Sequence, residues 1–208
     1  MKKDGSIIKE LKKITKKNIM RTIFEKDKLG EMEKVISDFL AKRGLSFFDT
    51  KDPVALAKKL NFSLFLANFD DSIDGVIIVD ETKSKIDKFD NNKIIAVNSS
   101  ANKIRKRFII AHELAHYIKE SENNKKVVYA TRDHNNDIRG FDEQEIDYMA
   151  AALLMPKDEF KKDWDNLNNK ILYPNFDENA KWRKLMDKYA VDIDGVQRRI
   201  SEIEIMGA

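Results

Sequence analysis

Cysteine is missing from all 208 residues of this chain, which excludes disulfides and thiolate metal ligands alike. Any bound metal would have to be held by imidazole and carboxylate. An apolar run of membrane-spanning length is missing as well. The opening Met1-Lys2-Lys3-Asp4-Gly5-Ser6 has the charge of a secretion signal, but Lys9, Glu10, Lys12 and Lys13 interrupt the stretch where its apolar block would fall. A cytoplasmic location is therefore expected. Nor is there a strong excess of one charge: a net +3 gives no general reason to expect nucleic-acid binding.

The residues present are 42% hydrophobic and 36% charged, the balance of a soluble globular protein with enough chain for one good core. The expected division is a basic amphipathic helical segment over residues 1–44, then one domain over 45–208 that includes C-terminal helices at 157–208. Between Lys2 and Lys28 basic residues dominate, and Ile7, Leu11, Ile14 and Ile19 recur at roughly helical spacing. Such a segment is ordinarily a solvated amphipathic helix. Direct nucleic-acid binding would have to run through it, and no membrane partner is expected.

Gly30 reads as an interruption, after which Glu31 to Leu40 resumes a helical pattern that Gly44 stops. Asp52-Pro53 is a helix start, a capping carboxylate before a proline at the first helical position, and Asn61 ends that helix. Phe62 to Ala67, Gly75 to Val79 and Ile94 to Asn98 are rich in Ile, Val and Phe and read as strands of a small sheet. Asp80 to Asn92 reads as a charged loop. A helix is expected from near Ser100 to about Lys119, then a long polar connection over Ser121 to Gly140, then a buried Ala-rich helix ending at Pro156. Tyr173-Pro174-Asn175 reads as a turn, and Asp177 and Asp192 each as the cap of a further helix.

The chemistry concentrates in Ile109-Ile110-Ala111-His112-Glu113-Leu114-Ala115-His116-Tyr117, which holds two of the three histidines in the chain. On a helix, residues four apart lie one above the other, so His112 and His116 can reach one metal ion. Glu113 can then point at a water in an open coordination position and take its proton. This is an H-E-x-x-H motif, and a catalytic site of this kind calls for a third protein ligand. Glu143, Glu145, Asp147 and His134 are the candidates. Glu143 and Asp147 are four apart, so one helix face could present the first to the metal and the second to the far nitrogen of a ligating histidine, while Glu145 points elsewhere. Tyr117, Tyr148 and His134 are the candidates for a further group that stabilises the transition state.

The run Arg107 to Tyr117, followed by Glu143-Gln144-Glu145-Ile146-Asp147-Tyr148-Met149-Ala150-Ala151-Ala152-Leu153-Leu154-Met155-Pro156, resembles the ImmA/IrrE family of metallo-endopeptidases. Pro53 to Ala57, Asp74-Gly75, Ile94 to Asn98 and Tyr189 to Asp192 with Val196 and Arg199 extend the resemblance over roughly Leu45 to Met206. Met149 stands where the family usually has phenylalanine, and Ile146 where alanine is common. The resemblance implies an α+β fold: a compact zincin-like domain of gluzincin type with a small mixed sheet, an active-site helix, a second ligand helix and C-terminal helices. It implies one Zn²⁺ on His112, His116 and a glutamate best matched by Glu143, with Glu113 as base.

It also implies a cytoplasmic regulatory protease that cleaves a repressor-like transcription factor, of a kind often encoded on mobile elements or in stress-response operons. Substrate would bind as an extended strand along a sheet edge, for which Ile94 to Asn98 is the expected strand. The alternative is a zinc-fold antirepressor or protein-binding module that acts stoichiometrically without proteolysis.

Overall fold

The computed structural model describes residues 26–70, 72–80, 91–122, 127–133, 141–169, 171–173 and 177–207. The basic stretch ahead of Lys26, most of the loop read over Asp80 to Asn92, His134 and the Pro174-Asn175 turn lie outside them. Eight α-helices and four strands follow one another among the described residues. In order they are α1 (Lys26–Ala41), α2 (Phe47–Thr50), α3 (Pro53–Lys59), β1 (Ser63–Ala67), β2 (Ile73–Asp80), β3 (Lys93–Asn98), α4 (Lys103–Glu122), β4 (Val127–Asp133), α5 (Phe141–Leu154), α6 (Lys157–Asn168), α7 (Glu178–Tyr189) and α8 (Ile193–Gly207).

The sheet order is β1-β3-β2-β4, with β1 parallel to β3 and the other pairs antiparallel. Register pairs Gly75 with Val97 and Ile77 with Ile95, so these four share one face. That face is buried against α4, and Ile77, Ile95 and Val97 join the core. Helix α4 is enclosed on the other sides by α5, α3 and α1. Its run Ile109, Ile110, Ala111, Leu114, Ala115 and Ile118 is buried nearly all round, as a helix at the centre of a domain must be. Helix α5 buries Tyr148 to Leu154 without a break, and the small Ala150, Ala151 and Ala152 let it pack closely.

Local chemistry explains the starts and stops. The Asp52 carboxylate accepts from the Val54 amide, with Pro53 at the first turn of α3. Asp177 does the same for α7 through Ala180. Gly44, at φ +66, provides the left-handed residue that turns the chain out of α1, where a side chain would be strained. Gly30 does not interrupt α1. It lies on the exposed face, and its cost of about 1 kcal/mol against alanine is offset by burial of Leu29, Met32, Ile36, Phe39 and Leu40.

The fold departs from the sequence reading in two further places. Val127–Asp133, inside the expected long connection, is a strand paired with β2. And β3 is not an edge: β1 and β2 flank it on both sides, so its ladder groups are already engaged and it has no free edge to offer an incoming strand. Among the described residues the edges of this sheet are β1 and β4, and β4 is the one that packs beside α4.

Helices α1, α5 and α8 meet around one buried cation. Arg199 is fully buried, donates from Nε to the Met155 carbonyl at 2.9 Å, and pairs with Glu33 at 2.6 Å and Glu202 at 3.4 Å. It thereby satisfies a carbonyl at the C-terminal end of α5 that has no helical partner. Replacing Arg199 with methionine takes the cation from Glu33, which keeps only the Tyr148 hydroxyl, and leaves the buried Glu202 with Arg198 alone. The expected loss is about 3–5 kcal/mol, read as a lower urea midpoint at unchanged slope. A loss below about 1 kcal/mol would show that the ion cluster contributes little.

Candidate metal centre

Residues His112 and His116 project from one face of α4 with ring centroids 5.0 Å apart, as their spacing requires. Glu143, on the first turn of α5, closes over them: His112 Nε2 lies 3.2 Å from one carboxylate oxygen and His116 Nε2 lies 3.5 Å from the other. One ligand atom from each residue falls within 4.8 Å of the other two. Donors held about 2.0–2.2 Å from a tetrahedral ion stand roughly 3.3–3.6 Å apart, close to the two imidazole–carboxylate separations here, so the donor set is compatible with one divalent ion.

The tautomer strengthens that fit. Asp147, four residues after Glu143 and almost fully buried, places Oδ1 2.9 Å from His112 Nδ1. An ionised carboxylate can only accept, so this contact places a proton on Nδ1 and leaves Nε2 as the ring nitrogen turned toward the cluster. Nε2 faces a Glu143 oxygen at 3.2 Å, a contact that either a ring proton or a shared cation satisfies. On the opposite side the cluster is open: the side chain of Glu143 is 39% exposed and that of His116 14%.

Glu113, next to His112 in the chain, is fully buried, and the space for its carboxylate comes from β2. Pairing of β2 with β4 skips Asp74, leaving an extra residue at a bulge. The Asp74 side chain is buried and pairs with Arg105 on the first turn of α4, which ties the bulge to the helix. At the next position, Gly75 lies so close that a Cβ would stand 2.5 Å from Ile109 Cγ2 and 3.0 Å from Glu113 Oε1. Only glycine leaves that carboxylate its place.

The remaining candidates lie elsewhere. Tyr117 packs edge-on against Phe39 and Phe62, and its hydroxyl meets Lys93 Nζ at 2.7 Å. Tyr148 gives its hydroxyl to Glu33 at 3.0 Å and is fully buried, which raises its pKa well above the ordinary phenol value. Both rings are core residues, set by helix faces that turn away from the histidines. Glu145 pairs with Lys28 and Lys119, away from the imidazoles. The sequence reading missed Gly75, Asp74 and Arg105. The adjacent Asp74-Gly75 pair is visible in the sequence, but the bulge that gives it meaning depends on β4.

Burial first, and neighbouring His112 second, pull His116 from its ordinary 6.5 to about 4. A hydrogen bond with His112 leads the causes that hold Glu143 below its ordinary value. In metal-free protein both act in the same direction. As pH falls from 6.5 towards 4 the unfolded chain takes up a proton at residue 116 that the folded chain refuses, so stability is lost across that window. Glu143 extends the loss below 4.5 for the corresponding reason. Urea midpoints measured with chelator present should fall between pH 7 and pH 5, and His116→Gln should flatten this slope. An equal slope in the variant would contradict the assignment.

Comparison with known families agrees with the geometry. A family model described as Peptidase_M78, IrrE N-terminal-like domain, matches residues 75–201, from the bulge glycine to the middle of α8. No curated protein matches the chain. The match takes in more than half of the sequence and contains both histidines, Glu113, Glu143 and Asp147. On that evidence the chain belongs to the Peptidase_M78 family, the metallopeptidases with an IrrE N-terminal-like domain that its two linked motifs resemble.

Proposed function

We propose that this protein is a zinc-dependent endopeptidase of zincin-like build, with His112, His116 and Glu143 holding one ion and Glu113 acting as general base. The observation that carries the reading is the convergence of two imidazole nitrogens and a carboxylate within 4.8 Å of one another, with solvent reaching Glu143 and a buried glutamate next in the chain to His112. When bound there, a divalent ion supplies Lewis acidity: it polarises a peptide carbonyl and acidifies water to a pKa of about 7.

The protein's own groups perform the rest. Glu113 takes a proton from the attacking water and delivers it to the leaving amine, roles that need a carboxylate held next to the cleft without closing it. Gly75 and Ile109 confine that carboxylate on the sheet side. Asp147 fixes the His112 ring, so Nε2 stays directed at the cluster. An extended polypeptide is read along the outer edge of β4, the edge strand beside α4, through backbone pairing that is indifferent to most side chains. Selection among proteins then falls to surfaces outside the cleft.

A peptidase family implies a protein substrate. Within that class we favour a repressor-like transcription factor in the cytoplasm, as the motif resemblance implies. Among the described residues no helix is long and apolar enough to cross a membrane.

Two substitutions separate binding from catalysis. Glu113→Gln should keep one equivalent of zinc and lower cleavage of a co-expressed repressor by at least about 100-fold, the span of a lost general base. His112→Ala should lose the metal as well. Fragments generated by the Glu113→Gln protein at the wild-type rate would overturn the role of Glu113. A wild-type protein that binds the repressor whole, in fixed ratio and without fragments, would favour stoichiometric action.

A further inference from the structure

The carboxylate of Asp147 has two oxygens, and the contact with His112 uses only one. Oδ1 faces the ring at 2.9 Å, while Oδ2 faces Nη1 of Arg198 at 3.7 Å. Arg198 comes from α8, and its side chain is 42% exposed. A solvated arginine at that exposure would ordinarily wander. Here it is held from behind: Nε donates to Glu202 Oε1 at 2.9 Å, and Glu202 is itself buried and paired with Arg199. Arg199 continues the series to Glu33 on α1. The guanidinium is thus fixed by one carboxylate and presented to another, a task that uses the fork geometry of arginine.

The terminal torsion of an aspartate is broad and nearly two-fold, so a carboxylate anchored at one oxygen can rock. A cation placed at the second oxygen selects the rotation that keeps the first on the ring. We propose that Arg198 is a positioning residue for the metal centre: acting through Asp147, it holds the His112 ring in the orientation and tautomer that aim Nε2 at Glu143 and His116. This rests on the metal assignment above and extends it to α8. It also gives α8 a part in the site although no α8 side chain is among the three ligands.

The test measures zinc affinity of the full chain by competition against a chromophoric chelator, with Zn²⁺ alone as the probe, alongside thermal unfolding of the metal-free protein. Removing a carboxylate that orients a ligand weakens zinc about 10–100-fold, which is the expectation for Asp147→Asn. Arg198→Met, one contact further out, should weaken zinc roughly 3–10-fold, a larger effect than the small fall in metal-free melting temperature from losing its Glu202 pair, and Arg198→Lys should fall in between. In the Asp147→Asn background Arg198→Met should add less than about twofold, because its route is already cut.

Wild-type affinity in Arg198→Met overturns the proposal. So does a zinc deficit matched by an equal loss of metal-free stability, or full additivity with Asp147→Asn. A wild-type chain that fails to bind Zn²⁺ overturns the metal reading and this proposal with it, whereas tight wild-type binding with indifferent variants overturns this proposal alone.

Discussion

Two imidazole nitrogens and a carboxylate gathered at one point favour positive charge between them, and much of the fold serves to bring them together. Helix α4 carries the imidazoles and is enclosed by the sheet on one side and by α1, α3 and α5 on the others. Burial removes the water that would otherwise relieve the crowding, which is why His116 resists protonation down to about 4. Electron-rich groups brought together at the end of a mostly buried helix face, with Glu143 still reached by solvent, are compatible with a divalent cation. The cost of assembling the ligands is met during folding, so little reorganisation remains for binding.

Around this point lies a second layer of charge that ties distant parts of the chain together. Asp147 orients His112 and meets Arg198. Glu202 holds both Arg198 and Arg199, and Arg199 reaches Glu33 and the end of α5. Helix α1 precedes the family match, yet it supplies five core residues and one arm of this network. On the opposite flank the bulge at Asp74 and the absent side chain of Gly75 set the clearance for Glu113. The proposed base is therefore placed by a strand and the proposed ligands by helices, and the antiparallel pairing of β2 with β4 is common to both the clearance and the sheet edge.

Much of this was legible in the sequence wherever the signal was local. A four-residue spacing places two side chains on one helix face whatever the rest of the chain does, and this holds for His112 with His116 and for Glu143 with Asp147. Asp52-Pro53 and Asp177 announce helix starts through hydrogen bonds made within three residues. Misreadings arose where pairing is non-local. Val127 to Asp133 contains Val, Val, Tyr and Thr, a usable strand signal, but polar flanks on both sides made the stretch look like a loop. Without that strand, β3 passes for an edge. Tyr117 and Tyr148 were reasonable near the motif, yet each sits on a helix face that only the packing of α1 and α5 reveals to be core. Gly30 failed as a breaker because five buried neighbours outweigh one glycine.

The most direct test is X-ray absorption at the zinc edge on protein loaded with one equivalent of Zn²⁺. Convergence of these three side chains predicts a four-coordinate spectrum with two imidazoles and oxygen or nitrogen donors at about 2.0–2.1 Å. A first shell with fewer than two imidazoles, or a six-coordinate shell of oxygen alone, would contradict it.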